Sequence, residues 1–340
     1  MKRLLLTVVT AAVGLTVACS NDVNNVKEEE SSEDSVTQEP VEEQEVFTFP
    51  LTGKEAKEQP DVRPFAIMVN NHPKARPQSG LHKADLIYEV LAEGNITRFL
   101  AIYQSEQPDI IGPVRSARDY YIDLSNGFDA LYISHGWSPS ANEKLQSGEA
   151  DYLNGLFHDG TLFWRDKDRK APHNSYISYE NITIGAEQKG YSLTERIDPL
   201  PISDEPLEGE EMKTFTVQYD ESSTWTVQYE YDDHSERYKR YSGEELTIDR
   251  ESNEPVLIDN IFVVEMEHKI IDNYGRRSID VYAGGKGYLF QRGKMLEVEW
   301  RNVDGRILPY QDNNPISFVS GRTWINIVPN LDNMLKFTQS

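Results

Sequence analysis

The sequence predicts an α+β protein, with a mixed α/β domain over residues 47–195 followed by a β-rich domain over residues 213–340. Three observations carry this. Up to residue 195, short apolar strand-like runs alternate with capped segments of helical period. Beyond residue 212, strand-like runs follow one another closely with turn residues between them. The length, 340 residues with 27% charged, exceeds one typical domain and suffices for two cores.

The first strand is expected over residues 64–69, followed by a polar, proline-punctuated loop from Asn70 to His82. Residues 86–92 and 96–103 flank Glu93-Gly94-Asn95 and read as a hairpin with Gly94 and Asn95 at its central positions. A helix over residues 84–93 is the alternative, because short apolar runs are ambiguous. Ser116 and Asp119 form a capping-box pattern, after which Ala117, Tyr120, Tyr121 and Leu124 repeat at helical spacing until Gly127. A strand over 130–134, a helix over 140–146, a strand over 161–164 and a helix over 179–189 follow, with Gly190 as the last stop signal.

Residues 196–212, rich in proline and acidic side chains, read as an inter-domain linker. Residues 215–219 and 225–229 then alternate around the turn 220–224, a second hairpin. Further strands are expected over 260–266, 278–282, 286–291, 296–301, 316–319 and 323–328.

The amino terminus carries an address. Lys2 and Arg3 precede an apolar run from Leu4 to Ala18, which reads as a signal peptide over residues 1–18 rather than a spanning helix. Leu15-Thr16-Val17-Ala18-Cys19 resembles a bacterial lipobox, departing from it at Thr16. It makes Cys19, the single cysteine, the expected site of a diacylglycerol and a palmitate-type anchor. Residues 20–46 hold ten acidic side chains against one lysine, Lys27, and read as a disordered, self-repelling tether.

Composition narrows the chemistry. A net charge of −23 argues against nucleic acid as a partner. One cysteine excludes an internal disulfide framework and, once acylated, leaves no thiol for catalysis. There is no S-x-x-K and no G-x-S-x-G, and Ser134-His135-Gly136-Trp137 carries tryptophan where an L,D-transpeptidase has its cysteine. None of the seven histidines forms H-x-H, H-x-x-x-H or H-E-x-x-H, so neither a metal nor another cofactor is expected. Gly284-Gly285-Lys286-Gly287 lacks the hydroxyl of a phosphate loop and reads as a turn.

Residues 63–103, then Ile111-Gly112-Pro113-Val114-Arg115-Ser116-Ala117-Arg118-Asp119-Tyr120-Tyr121, Ala171-Pro172-His173-Asn174-Ser175-Tyr176 and residues 320–329 together resemble the YerB-type lipoprotein family of Bacillus and relatives. The resemblance implies a lipid-anchored extracytoplasmic protein with a mixed amino-terminal domain and a β-rich carboxy-terminal one. It implies no catalytic residues, because the family's function is unknown.

The candidate binding residues are polar and cationic. Alternation on a two-residue hairpin puts Glu89 and Glu93 on one face with Arg98. Arg76 with Ser79 lies in the preceding loop, and Arg115 and Arg118 bracket the expected helix start, where amides and guanidinium forks suit an anion. Arg165, Lys167, Arg169, Lys170 and His173 form a second basic patch. The alternative is that these arginines pair with the domain's own carboxylates.

Three readings follow. The first is a non-enzymatic envelope protein, anchored to the outer face of the cytoplasmic membrane of a Gram-positive envelope, that docks on a membrane-bound wall-synthesis protein such as a penicillin-binding protein. The second is a wall-polymer-modifying enzyme using Glu89 or Glu93 as acid and base. The third is a ligand-binding lipoprotein that recognises an anionic group.

Overall fold

A computed structural model describes residues 46–205 and 207–338. The predicted signal peptide, Cys19 and the tether up to residue 45 lie outside the described residues.

Runs that are mostly apolar, rather than strictly alternating, become strands buried on both faces. In the amino-terminal region these are β1 (Phe65–Asn70), β2 (Leu86–Glu93) and β3 (Ile96–Tyr103), followed by α1 (Asp119–Asn126), β4 (Leu131–Ser134), α2 (Pro139–Gln146), β5 (Tyr152–Asn154) and α3 (Tyr179–Lys189). The carboxy-terminal region adds β6 (Thr214–Gln218), β7 (Thr226–Asp232), β8 (Arg237–Ser242), β9 (Asn260–Glu265), β10 (Gly285–Gln291), β11 (Lys294–Val303), β12 (Arg306–Gln311) and β13 (Thr323–Val328). The amino-terminal region is mixed and the carboxy-terminal one sheet-rich.

The two regions share one sheet of 12 strands, ordered β12-β11-β10-β9-β13-β2-β3-β1-β4-β5, with Asn314–Pro315 on β12 and Glu210–Glu211 on β11. The joint is β13, parallel both to β9 of its own region and to β2 of the other, with Ile325 opposite Phe262 and Tyr88. A second, six-stranded sheet runs β8-β7-β6 to Leu335–Phe337, with Glu245–Leu246 and Leu257–Ile258 on β8.

The expectation of one core per domain is corrected by this shared sheet. Two apolar clusters exist, but each lies on one face of the large sheet and draws on both regions. On one face Phe99, Trp324 and Phe290 meet Phe215 and Tyr229 of the second sheet and Ile182 of α3. Phe215 stacks on Phe290 with ring centroids 3.6 Å apart. On the other face Leu100 and Ile325 meet Tyr120, Tyr121 and Leu124 of α1, Ala141 of α2 and Trp300 of β11.

The predicted linker is laid down on the structure rather than left free: Ile197 and Leu200 are buried, and Ile202 forms a bridge to Phe318. The β2–β3 hairpin, α2, and α3 with Gly190 in the left-handed conformation behind it follow the sequence reading, and the structure adds Ser138 and Ser178 as the side-chain caps of the two helices. Ser116 does not. α1 starts after Arg118 with no side-chain cap, and the Ser116 hydroxyl donates instead to the His135 carbonyl. Residues 316–319 form no strand beyond the Phe318 bridge.

Candidate functional site

β1, β4 and β5 run parallel, and in sheets of this kind ligands sit beyond the carboxyl ends of such strands. Here the chain leaves β1 through Asn70, Asn71 and His72 and leaves β4 through His135. Between them runs the segment that holds Arg115, sewn down on both sides. The Arg115 amide donates to the Met68 carbonyl at 2.9 Å, and its carbonyl accepts from the His135 amide at 2.9 Å. The Val114 amide donates to Ser175 at 2.6 Å.

Local donors set the histidine tautomers. Asn70 accepts the His72 amide on Oδ1 and places its Nδ2 against His173 Nδ1 at 2.9 Å. Nδ1 of His72 accepts the Lys74 amide at 3.1 Å. Each ring therefore uses Nδ1 as an acceptor and carries its proton on Nε2. The two rings stack with centroids 4.5 Å apart. Burial, then His72 and Arg115, push His173 down to about 4, and burial with Lys74, Arg76 and Arg115 lowers His72. Both are neutral N–H donors at pH 7.

Arg115 is the cation beside them. Among the described residues its guanidinium meets no carboxylate and no hydrogen-bond acceptor, and burial followed by Arg98 lowers it to about 10. The neighbouring groups are closed. Arg165 bonds Asp159 and donates to His135 Nε2 at 2.8 Å, so His135 Nδ1 donates to Ser175 Oγ at 2.7 Å. Gly155 packs on that ring so closely that a Cβ there would fall 2.1 Å from Nδ1. Arg169 donates to the carbonyls of Ala75 and Pro77, tying its loop to the loop after β1. Arg115, His72 and His173, with Lys74 nearby, thus form a donor-rich cluster without a paired acid among the described residues, suited to a carboxylate or phosphate oxygen.

The other sequence candidates lie elsewhere. The single face predicted for Glu89, Glu93 and Arg98 is corrected by a register shift between Leu91 and Glu93, which turns Glu93 to the opposite side of the sheet from Glu89. Glu93 there accepts from Arg98 at 2.9 Å and pairs with Arg118, whose other nitrogen donates to the Ala117 carbonyl at 2.6 Å. Arg98 also donates to the Ser116 carbonyl at 2.6 Å. This cluster is internally paired, as the alternative reading held.

Glu89 is wholly buried. Its Oε2 accepts from Arg240 at 2.8 Å and from the Trp324 indole at 3.1 Å, its Oε1 from Thr97 at 2.9 Å and Asn71 at 3.1 Å. All four acceptor positions are taken by these donors. Arg76 bonds Asn71 Oδ1 at 3.1 Å, and burial with Arg240 lowers it to about 10. Ser79 donates to Glu251 at 2.9 Å and joins no site.

Sequence reasoning missed Asn70, His72 and Arg240. The pair Asn70-Asn71 directly after a continuous apolar strand was the available signal for the first two. The charged run Arg237-Tyr238-Lys239-Arg240-Tyr241-Ser242 hid a strand whose Tyr238 and Arg240 face inward.

Two family models match the chain, each described as a protein of unknown function (DUF3048): its N-terminal domain over residues 51–192 and its C-terminal domain over residues 215–325. The chain belongs to the DUF3048 family. "Putative lipoprotein YerB" of Bacillus subtilis (strain 168) is a relative, 53% identical over 286 residues, spanning 83% of this chain and 86% of that protein. The crystal structure of YerB protein from Bacillus subtilis is similar to this DUF3048 chain with a TM-score of 0.82 and 51% identity, covering 86% of this chain and 99% of that one.

Proposed function

We propose that this chain is a lipid-anchored binding protein of the cell envelope, acylated at Cys19 on the outer face of the cytoplasmic membrane, that captures an anionic group at Arg115. The lipobox-like run and the relative's description as a lipoprotein support the anchor. The observation that carries the binding reading is the half-buried Arg115 guanidinium, which no acid neutralises among the described residues, beside two imidazoles locked as N–H donors. The test is calorimetric titration of the intact protein in detergent with inorganic phosphate and with acetate. Saturable heat from either, lost in Arg115→Ala, is the expected result. Heat retained by that variant overturns the reading.

A second reading, docking on a membrane-bound wall-synthesis protein such as a penicillin-binding protein, is supported by a separate feature. The hairpin joining His268–Ile270 to Arg277–Ile279 exposes Ile270, Ile271 and Tyr274, the last at 78%. Such clustered exposed side chains mark contact surfaces. Capture of the intact lipoprotein from detergent extract, probed with a labelled β-lactam, tests it. Enrichment lost in Ile271→Asp is expected, and no enrichment contradicts it.

A further inference from the structure

The loop that carries His72 to the Arg115 cluster has a second side. There a cleft of about 450 Å³ opens between residues 76–78 and residues 242–248. Its lining combines the apolar Pro77 and Leu246 with Arg76, Ser242 and Thr247, and the exposed Glu245 also lines it.

Arg240 Nη1 donates to Ser242 Oγ at 2.7 Å and to Thr247 Oγ1 at 2.9 Å. Both hydroxyls are thereby used as acceptors, and neither finds an acceptor for its own proton among the described residues. Arg76 donates through Nε to Asn71 and through Nη1 to the Thr224 carbonyl, which leaves Nη2 without a partner among the described residues. Arg76 and Arg240 lie close enough for their charges to oppose each other, and the one buried carboxylate beside them, Glu89, has every acceptor position filled. Glu245 acts on Arg76 through space without hydrogen-bonding it.

Three unused donors ask for a carboxylate. The Glu245 carboxylate asks for an amine, and the apolar lining asks for a small apolar body. The volume lies near the lower end for small-molecule sites. We propose that this cleft binds a small zwitterion, an apolar amino acid or dipeptide, with its carboxylate against Arg76, Ser242 and Thr247, its amine toward Glu245 and its side chains on Pro77 and Leu246. This site is separate from the Arg115 cluster and does not rest on it.

The probes are alanyl-alanine dipeptides of both chiralities, titrated into the intact protein in detergent, beside their C-terminal amides and N-acetyl derivatives. At least one dipeptide is expected to bind saturably, with affinity falling about tenfold or more when either charged end is capped. Leu246→Trp, a filling substitution at an exposed position, should abolish binding. Glu245→Gln should weaken the dipeptide until it matches its N-acetyl form, and Arg115→Ala should leave dipeptide binding unchanged. Absence of saturable binding, equal affinity for the amide, binding that survives Leu246→Trp, or binding lost with Arg115→Ala would each overturn the proposal.

Discussion

Glu89 and Arg240 lie 151 positions apart in sequence and meet at 2.8 Å with neither side chain exposed. The pair joins β2 of the amino-terminal region to β8 of the carboxy-terminal one, and Arg240 also lies over the rings of Trp324 and Phe99, at 4.7 and 5.3 Å. Burial works against the Arg240 charge, and the Glu89 carboxylate together with Tyr229 and Tyr219 outweighs it.

Removing one partner leaves the other charge buried and unpaired. Glu89→Gln and Arg240→Met should each destabilise the protein by about 3–5 kcal/mol, read as a shift in urea midpoint. The double variant should lose less than the sum of the two. Additive losses would mean that the pair does not couple the regions.

Glu93 holds two buried guanidinium groups but is itself 30% exposed on its side chain. Glu93→Gln is expected to cost about 1–2 kcal/mol in the same measurement, less than the Glu89 variant, because water reaches one side of the cluster. A loss equal to that of Glu89→Gln would contradict this ordering.

The shared sheet brings Gly127, behind α1, against Gly305 in the β11–β12 turn. A Cβ on Gly127 would fall 2.5 Å from the Gly305 carbonyl carbon and 2.6 Å from its oxygen, and backbone cannot swing away as a side-chain end can. Gly127→Ala should therefore cost about 1–3 kcal/mol as overpacking. An unchanged melting temperature would show that the two turns separate freely.

The strands of the amino-terminal region were legible because β1, β2 and β3 are mostly apolar, and the Gly94-Asn95 turn marked the β2–β3 hairpin. The shared sheet was not legible. Nothing in residues 323–328 distinguishes a strand that stays in its own domain from one that inserts beside Leu86. β8 escaped because its inward positions include an arginine, which reads as surface until its partner is known. The site was half legible: Arg115 and His173 were singled out and do come together, whereas the bulge after Leu91, which separates Glu89 from Glu93, leaves no mark in a pattern of period two.

His173 titrates at about 4 in the folded chain against an ordinary 6.5, lowered by burial and by the charges of His72, Arg115, Lys74 and Arg169. The unfolded chain therefore binds the extra proton between about pH 6.5 and 4, so this group contributes a loss of stability as pH falls through that window and nothing further below it. Urea midpoints measured from pH 7 to pH 4 should decline, and His173→Gln should flatten the decline. A profile identical to the parent's would mean that the imidazole is as free to protonate folded as unfolded.

The most direct measurement compares urea midpoints of the intact protein and its Arg115→Ala variant, with and without sulfate, an anion that does not titrate near neutral pH. A guanidinium held for a ligand adds nothing to the empty fold. Arg115→Ala should match or exceed the parent without sulfate and lose the sulfate-dependent gain, which approaches about 2.7 kcal/mol at a hundred times the dissociation constant. A variant that is destabilised without sulfate and still gains from it would make Arg115 a structural residue and contradict the account.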